Sequence, residues 1–180
     1  MKLTVRQISS TALMAAVICI LSPIAIPLAG QVPVSLATLA VMLTGALLGP
    51  YLGTLAVLIY LLLGGIGLPV FAGWTGGFAL LFGMTGGYLF GYLPLAFLTG
   101  LAAEKMKHPG DWKILTAGMI AGTAVLYLLG TAWFMKYTGM DLTASLAACV
   151  IPFLPGDCLK MIITCILVPR LMPAAQKITA

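Results

Sequence analysis

Charge is scarce in this sequence: its 180 residues include nine Lys or Arg and four Asp or Glu, 7% in all, against 62% hydrophobic residues. That leaves too little polar surface to coat a water-soluble domain, so lipid is the expected solvent. The few cations, +5 in formal net charge, fall in ones and twos. No basic stripe with interleaved aromatics tracks a phosphate backbone, which argues against nucleic acid as a partner. The four cysteines, Cys19, Cys149, Cys158 and Cys165, form no Cys-x-x-Cys pair and lie in apolar segments, where a free thiol behaves as a small hydrophobe. The one histidine, His108, has no second His or Cys near it, so nothing supports a metal site. No Gly-x-x-x-x-Gly-Lys loop occurs, so the chain is not itself an ATP-hydrolysing subunit. Paired carboxylates and Ser/His/Asp sets are missing too, and no catalytic residue is nominated.

Long apolar runs fill the space that charge leaves. A spanning helix takes roughly 20 apolar residues, and the pattern predicts an all-α membrane protein with six spans at about 8–28, 34–49, 51–66, 82–104, 113–136 and 157–173. All six belong to one integral membrane domain covering residues 1–180. The first run, behind Lys2 and Arg6 and ending near Ala29-Gly30, is long enough to be a permanent span rather than a secretory signal. Twenty-one glycines and eleven prolines fit this setting, because neighbouring membrane helices satisfy freed backbone groups. Gly49-Pro50 predicts a tight helical hairpin between the second and third spans. The stretch GGIGLPVFAGWTGG, Gly64 to Gly77, holds six glycines and predicts an irregular loop, long enough for a lid. Residues 140–155 are expected to form a short amphipathic or re-entrant piece.

Cations also predict orientation, since short cytoplasmic loops are enriched in Lys and Arg. With the N-terminus inside, Lys2, Arg6, Lys105, Lys107, Lys113, Arg170 and Lys177 all fall on the cytoplasmic face. Both termini are then cytoplasmic, and the Gly-rich loop, the 29–33 turn and the 140–155 segment face outside around a vestibule. His108 is expected to be solvated.

One string stands out chemically: Pro155-Gly156-Asp157-Cys158-Leu159-Lys160, opening an otherwise apolar final helix. Asp157 and Lys160 at i and i+3 share a helix face, and ionisable groups at membrane depth are functional candidates. A carboxylate in the first turn also suits the positive end of the helix dipole. The alternative is an ion pair that merely anchors the helix near the headgroups.

Four stretches resemble the BioY family, the biotin-specific substrate-binding (S) components of energy-coupling-factor transporters. They are Val32-Pro33-Val34-Ser35-Leu36 running to Gly49-Pro50, YLLLGGIGLPVF from Tyr60 to Phe71, Met84-Thr85-Gly86-Gly87-Tyr88-Leu89-Phe90-Gly91-Tyr92, and Phe153 through Lys160. The family pattern expects glutamine where this chain has Ala37 and proline where it has Met84. The resemblance implies a six-helix fold with an outward-facing pocket, capped by the loop before helix four and bordered by helices four to six. It also implies a transmembrane scaffold and two ATPase subunits as partners, so that ATP is used by the partners only, no cofactor is covalently bound, and the chain sits as a multi-pass protein in the cell membrane.

Biotin suits the string at Asp157. Its ureido ring offers two N–H donors to a carboxylate and a carbonyl acceptor to an ammonium, while the ring sulfur and valeryl chain want apolar walls. Asp157 and Lys160 are therefore the candidates for the ureido head, with contact of Lys160 to the valeryl carboxylate as the other possibility. Thr85, Gly86, Gly87 and Tyr88 are secondary candidates, the glycines either admitting ligand or allowing close helix packing. Trp74 and Trp133 line the pocket or lid, or else sit at the interface as membrane aromatics do. On the first helix, Ala12-x-x-x-Ala16 is a small-xxx-small pattern that the resemblance assigns to the scaffold subunit, with Thr11, Ala15 and Val17 shaping the patch. Competing readings are an S component for another vitamin such as thiamine or riboflavin, an intramembrane enzyme acting on a lipid with Asp157 as general base, and a purely structural bundle.

Overall fold

The computed structural model describes residues 3–26, 32–108 and 110–179, with side chains described as far as Ala175. Lys2, the 29–31 part of the expected turn and the Lys177 side chain lie outside the described residues.

The first helix, α1 (Val5–Leu21), starts at Thr4, whose side chain accepts from the Gln7 amide while the Gln7 side chain caps Thr4 in return. It stops at Ser22-Pro23 rather than near residue 28, because the chain turns there into a two-residue antiparallel pair, β1 (Ala25–Ile26) with β2 (Val34–Ser35). The second expected span accordingly begins at Ala37, not 34.

Helix α2 (Ala37–Gly65) runs for 29 residues but is not one rod. Gly49 sits at φ 79°, ψ −179°, a backbone state open to glycine, and Pro50 opens the next segment. In a straight helix residues 45 and 53 would be ~12 Å apart at 1.5 Å per residue. A Cβ at Gly53 would instead lie 2.9 Å from the Cα of Gly45, so the two halves fold back on each other as a hairpin.

The loop beyond Gly65 is irregular, with positive φ at Gly67, Gly73, Trp74 and Gly77 and a bridge between Phe71 and Thr75. Phe71 pins it down: its ring meets Tyr60 edge-on at 5.5 Å and is 3% exposed. One helical turn, α3 (Phe78–Leu81), follows, and α4 (Gly86–Glu104) begins only after a break at 82–85, four residues later than the expected 82. Helix α5 (Trp112–Thr138) ends on left-handed Gly139. The expected piece at 140–155 contains α6 (Leu142–Cys149), capped by Asp141, which accepts from the Ala144 amide. Helix α7 (Leu154–Thr179) starts before 157 and passes 173. Pro155 is tolerated because first-turn amides have no intrahelical partner.

Among the described residues, four stretches are long and apolar enough to cross a membrane: Ala37–Gly65, Gly86–Glu104, Trp112–Thr138 and Leu154–Ala175. Val5–Leu21 is apolar but shorter. Large apolar side chains such as Leu13, Ile20, Ile120, Leu128 and Ile162 are exposed, the coat expected of a protein solvated by lipid. Helix α4 packs between α2 and α5. Its fit to α2 is at backbone distance: a Cβ at Gly100 would lie 2.4 Å from the Pro50 nitrogen, and one at Gly45 2.4 Å from the Ala96 carbonyl oxygen. Small residues thus replace amphipathic stripes as the means of bringing these helices together.

Candidate functional site

The first two turns of α7 place Asp157 and Lys160 on the inward face, 4% and 6% exposed. Lys160 Nζ donates to Asp157 Oδ1 at 2.9 Å and to Thr38 Oγ1 at 2.8 Å. Thr38, from the first turn of α2, donates in turn to Asp157 Oδ1 at 3.1 Å. On the other carboxylate oxygen, Oδ2 accepts from the Tyr127 hydroxyl of α5 at 2.5 Å. Three helices therefore converge on one ion pair of zero net charge. Removing either charge would leave the other buried and uncompensated, which is why such pairs are built with this many hydrogen bonds. The pair still has capacity: an ammonium has three N–H groups and a carboxylate about four acceptor positions.

A cavity of about 40 Å³ borders the pair, with Ser35, Thr38, Tyr88, Tyr92 and Tyr127 among its walls. Next to it lies a second cavity of about 160 Å³, reaching Ser22, Tyr60, Thr75 and Thr85. Val32, Pro33, Ser35, Tyr88 and Tyr92 belong to both and form the partition. Even joined, they fall short of the roughly 300–1,000 Å³ of ordinary small-molecule pockets, so a ligand of that class has to push the shared walls apart. A third and larger hollow, about 860 Å³, is a different feature: an almost wholly apolar groove between α5 and α7, with Ile120, Tyr127, Met161 and Ile162 among its walls. It offers no charged group for recognition. Tyr127 lines both the groove and the small cavity, and so separates the buried pair from the lipid-facing side.

Of the residues nominated from sequence, Asp157, Lys160, Thr85 and Tyr88 are brought to the two cavities. Tyr88 is held there by its hydroxyl, which donates to the Cys149 carbonyl at 3.1 Å. Gly86 and Gly87 are not cavity walls. A Cβ at Gly87 would lie 2.4 Å from Trp133 Cβ and 2.7 Å from the Leu129 carbonyl oxygen, so glycine there seats α5 against α4. Trp133 lines neither cavity, because its indole N–H is committed to the Gly83 carbonyl at 2.9 Å. Trp74 points away, 67% exposed at the tip of the loop. Ala12 and Ala16 are exposed on α1, whereas Thr11 and Ala15 turn into the bundle, each 2% exposed, and cannot share the outer patch.

Thr38, Tyr127, Ser35, Tyr92, Ser22 and Tyr60 were not nominated. A phenol in the middle of an apolar helix was the available signal for Tyr127, and position within or just after the Val32–Leu36 string was the one for Ser35 and Thr38.

The profile of the BioY family matches residues 1–177. The chain belongs to the BioY family. Among its relatives is the biotin transporter BioY of Rhodobacter capsulatus, 41% identical over 171 residues, covering 88% of this chain and 89% of that one. The biotin transporter BioY of Thermotoga maritima is 39% identical over 166 residues, covering 92% and 95%. The crystal structure of an S-component for biotin from an ECF-type ABC transporter superposes with a TM-score of 0.84 at 35% identity, covering 93% of this chain and 90% of its own. The BioY fold is thus shared along nearly the whole chain.

Proposed function

We propose that this chain captures biotin as the substrate-binding component of an energy-coupling-factor transporter. The observation that carries the reading is the buried Asp157–Lys160 pair beside an otherwise hydroxyl and apolar cavity. A ureido group complements it: one ring N–H donates to the acceptor position left on Asp157, and the ring carbonyl accepts from the N–H left on Lys160. Because the pair is already neutral and hydrogen-bonded, a neutral polar head adds bonds without adding buried charge. The chain is a carrier subunit, not an enzyme, and no residue is assigned a catalytic role.

In this reading the chain crosses the cell membrane six times, each half of α2 counting as one crossing, with both termini cytoplasmic and the cavities opening outward. Support comes from the cations: Arg6, Lys105, Lys107, Lys113 and Arg170 all lie at the helix ends remote from the cavities. A transmembrane scaffold and two ATPase subunits supply the energy, and the exposed Ala12/Ala16 face of α1 is the surface offered to the scaffold.

The test is calorimetry on the purified chain in detergent, with desthiobiotin and thiamine alongside biotin. Saturable biotin binding, weaker desthiobiotin binding and none of thiamine are expected. A folded, monodisperse sample that ignores biotin would overturn the assignment.

A further inference from the structure

Charge is distributed very unevenly around the two cavities. From Gln7 to Ala103 the sequence holds no Asp, Glu, Lys, Arg or His, and every wall of the larger cavity comes from within that stretch. Its polar groups are hydroxyls: Ser22, Ser35, Tyr60, Thr75, Thr85 and Tyr92, besides Tyr88 on the partition. Two are arranged as donors. Ser22 and Tyr60 share one hydrogen bond at 2.6 Å while 1% and 0% exposed, so one of their two O–H groups is left over. Ser35 Oγ accepts from the Ala37 amide at 3.2 Å and its hydroxyl pairs with that of Tyr92, so one O–H of this second pair is also left to donate. The nearest cation is Lys160, on the smaller cavity and already bonded to Asp157. Lys136, at the same end of the bundle, is exposed and lines neither cavity.

Resting on the biotin reading above, we infer that the larger cavity takes the valeryl tail and reads its end as a hydrogen-bond acceptor, not as an anion. The reverse orientation would bring the ligand carboxylate against Asp157 and give the buried pair a net negative charge, a like-charge contact that low-dielectric surroundings penalise. With the head on the ion pair, the tail meets hydroxyls alone. Burying an unpaired carboxylate is costly, so the ionised tail gains little there over a neutral group with a carbonyl in the same place. The specificity that follows is asymmetric. The protein is strict about the ureido head and permissive about the tail, and it accepts biotin amides and esters as well as the free acid.

The decisive experiment is calorimetric titration of the intact chain in detergent at neutral pH with biotin, biotinamide and biotin methyl ester. Both neutral derivatives are expected to bind within about 10-fold of biotin, since a neutral hydrogen bond and a charge-assisted one to a hydroxyl differ by little over ~1 kcal/mol. A loss of more than about 100-fold for both derivatives, with biotin itself bound, overturns the inference and leaves the biotin reading intact. Failure of all three on a folded sample overturns both together. Tyr60→Phe, which keeps the ring against Phe71, is expected to weaken acid and amide by the same factor, about 3–10-fold. A loss confined to the acid would show that the cavity reads charge after all.

Discussion

The seam between α2 and α4 and the seam between α5 and α7 are built on opposite principles. In the first, glycines bring backbones into contact, with Gly100 against Pro50 and Gly45 against Ala96. In the second, a wide apolar groove separates the helices, and the Tyr127–Asp157 hydrogen bond ties them at the level of the ion pair. Where backbones touch, no side chain can relax to absorb a change; where a groove lies between helices, most changes meet lipid. The ion pair sits between these regimes, braced on the α2 side by Thr38 and on the α5 side by Tyr127. A ligand that has to widen its cavity is therefore expected to do so at the expense of the looser seam.

The contrast is broken most severely by Gly100→Val. Its side chain would enter backbone atoms of the Gly49-Pro50 turn, and the strain exceeds the ~1–3 kcal/mol of ordinary overpacking because no rotamer relieves it. Loss of the monodisperse peak in size-exclusion chromatography is expected, whereas Ile162→Ala on the groove wall should leave that peak in place.

Next come Asp157→Ala and Lys160→Ala, each expected to weaken biotin binding by more than ~10-fold, since truncating a buried charged hydrogen bond costs ~2 kcal/mol or more. Calorimetry on samples shown to be folded checks this; full affinity in both variants would remove the pair from the site.

Tyr127→Phe sharpens the comparison rather than breaking it. The ring still fills its place, but the carboxylate loses a donor, and a ~3–10-fold loss of biotin affinity is expected. If the bond also holds the loose seam, Cys165, half-buried in the groove, should react faster with a small maleimide; unchanged labelling would refute that part.

The smallest effect lies far from both seams. Asp111 Oδ2 accepts from the amides of Lys107 at 2.7 Å and His108 at 3.0 Å, and these bonds hold its carboxyl below the usual carboxylate value. A lowered folded pKa stabilises the turn above the unfolded value of ~3.9 and loses that contribution as pH falls through the folded one. Loss of protection at the Lys107 and His108 amides, measured relative to their intrinsic exchange rates, is expected only on acidification below about pH 4. The same loss of protection already present at neutral pH would contradict it.

Much of the architecture was legible along the chain because membrane insertion and helix breaking act over one or two turns. The Gly49-Pro50 hairpin, the irregular 66–77 loop and the shared face of Asp157 and Lys160 all depend on neighbours close in sequence. Helix ends were less legible. Ser22-Pro23 and the 82–85 break stop helices inside runs whose hydrophobicity continues unbroken, and hydropathy does not register a change of backbone direction. Gly86, Gly87 and Trp133 stayed ambiguous for a related reason: glycine beside an aromatic reads equally as ligand access or as close packing, and only the fold shows Leu81 against Gly86 and α5 against Gly87.

By itself, then, the sequence determined the solvent, the helical class, the places where the chain folds back and the pairing of the two charges in α7. Only the tertiary structure decided who joins that pair: Thr38 lies 119 residues from Asp157, and Tyr127 lies 30 residues away on another helix. In a soluble protein an amphipathic stripe would announce which face of each helix turns inward. Here lipid makes every face apolar, so the rotation of one helix against the next is set by small-residue contacts and buried hydrogen bonds that exist only once the bundle has assembled.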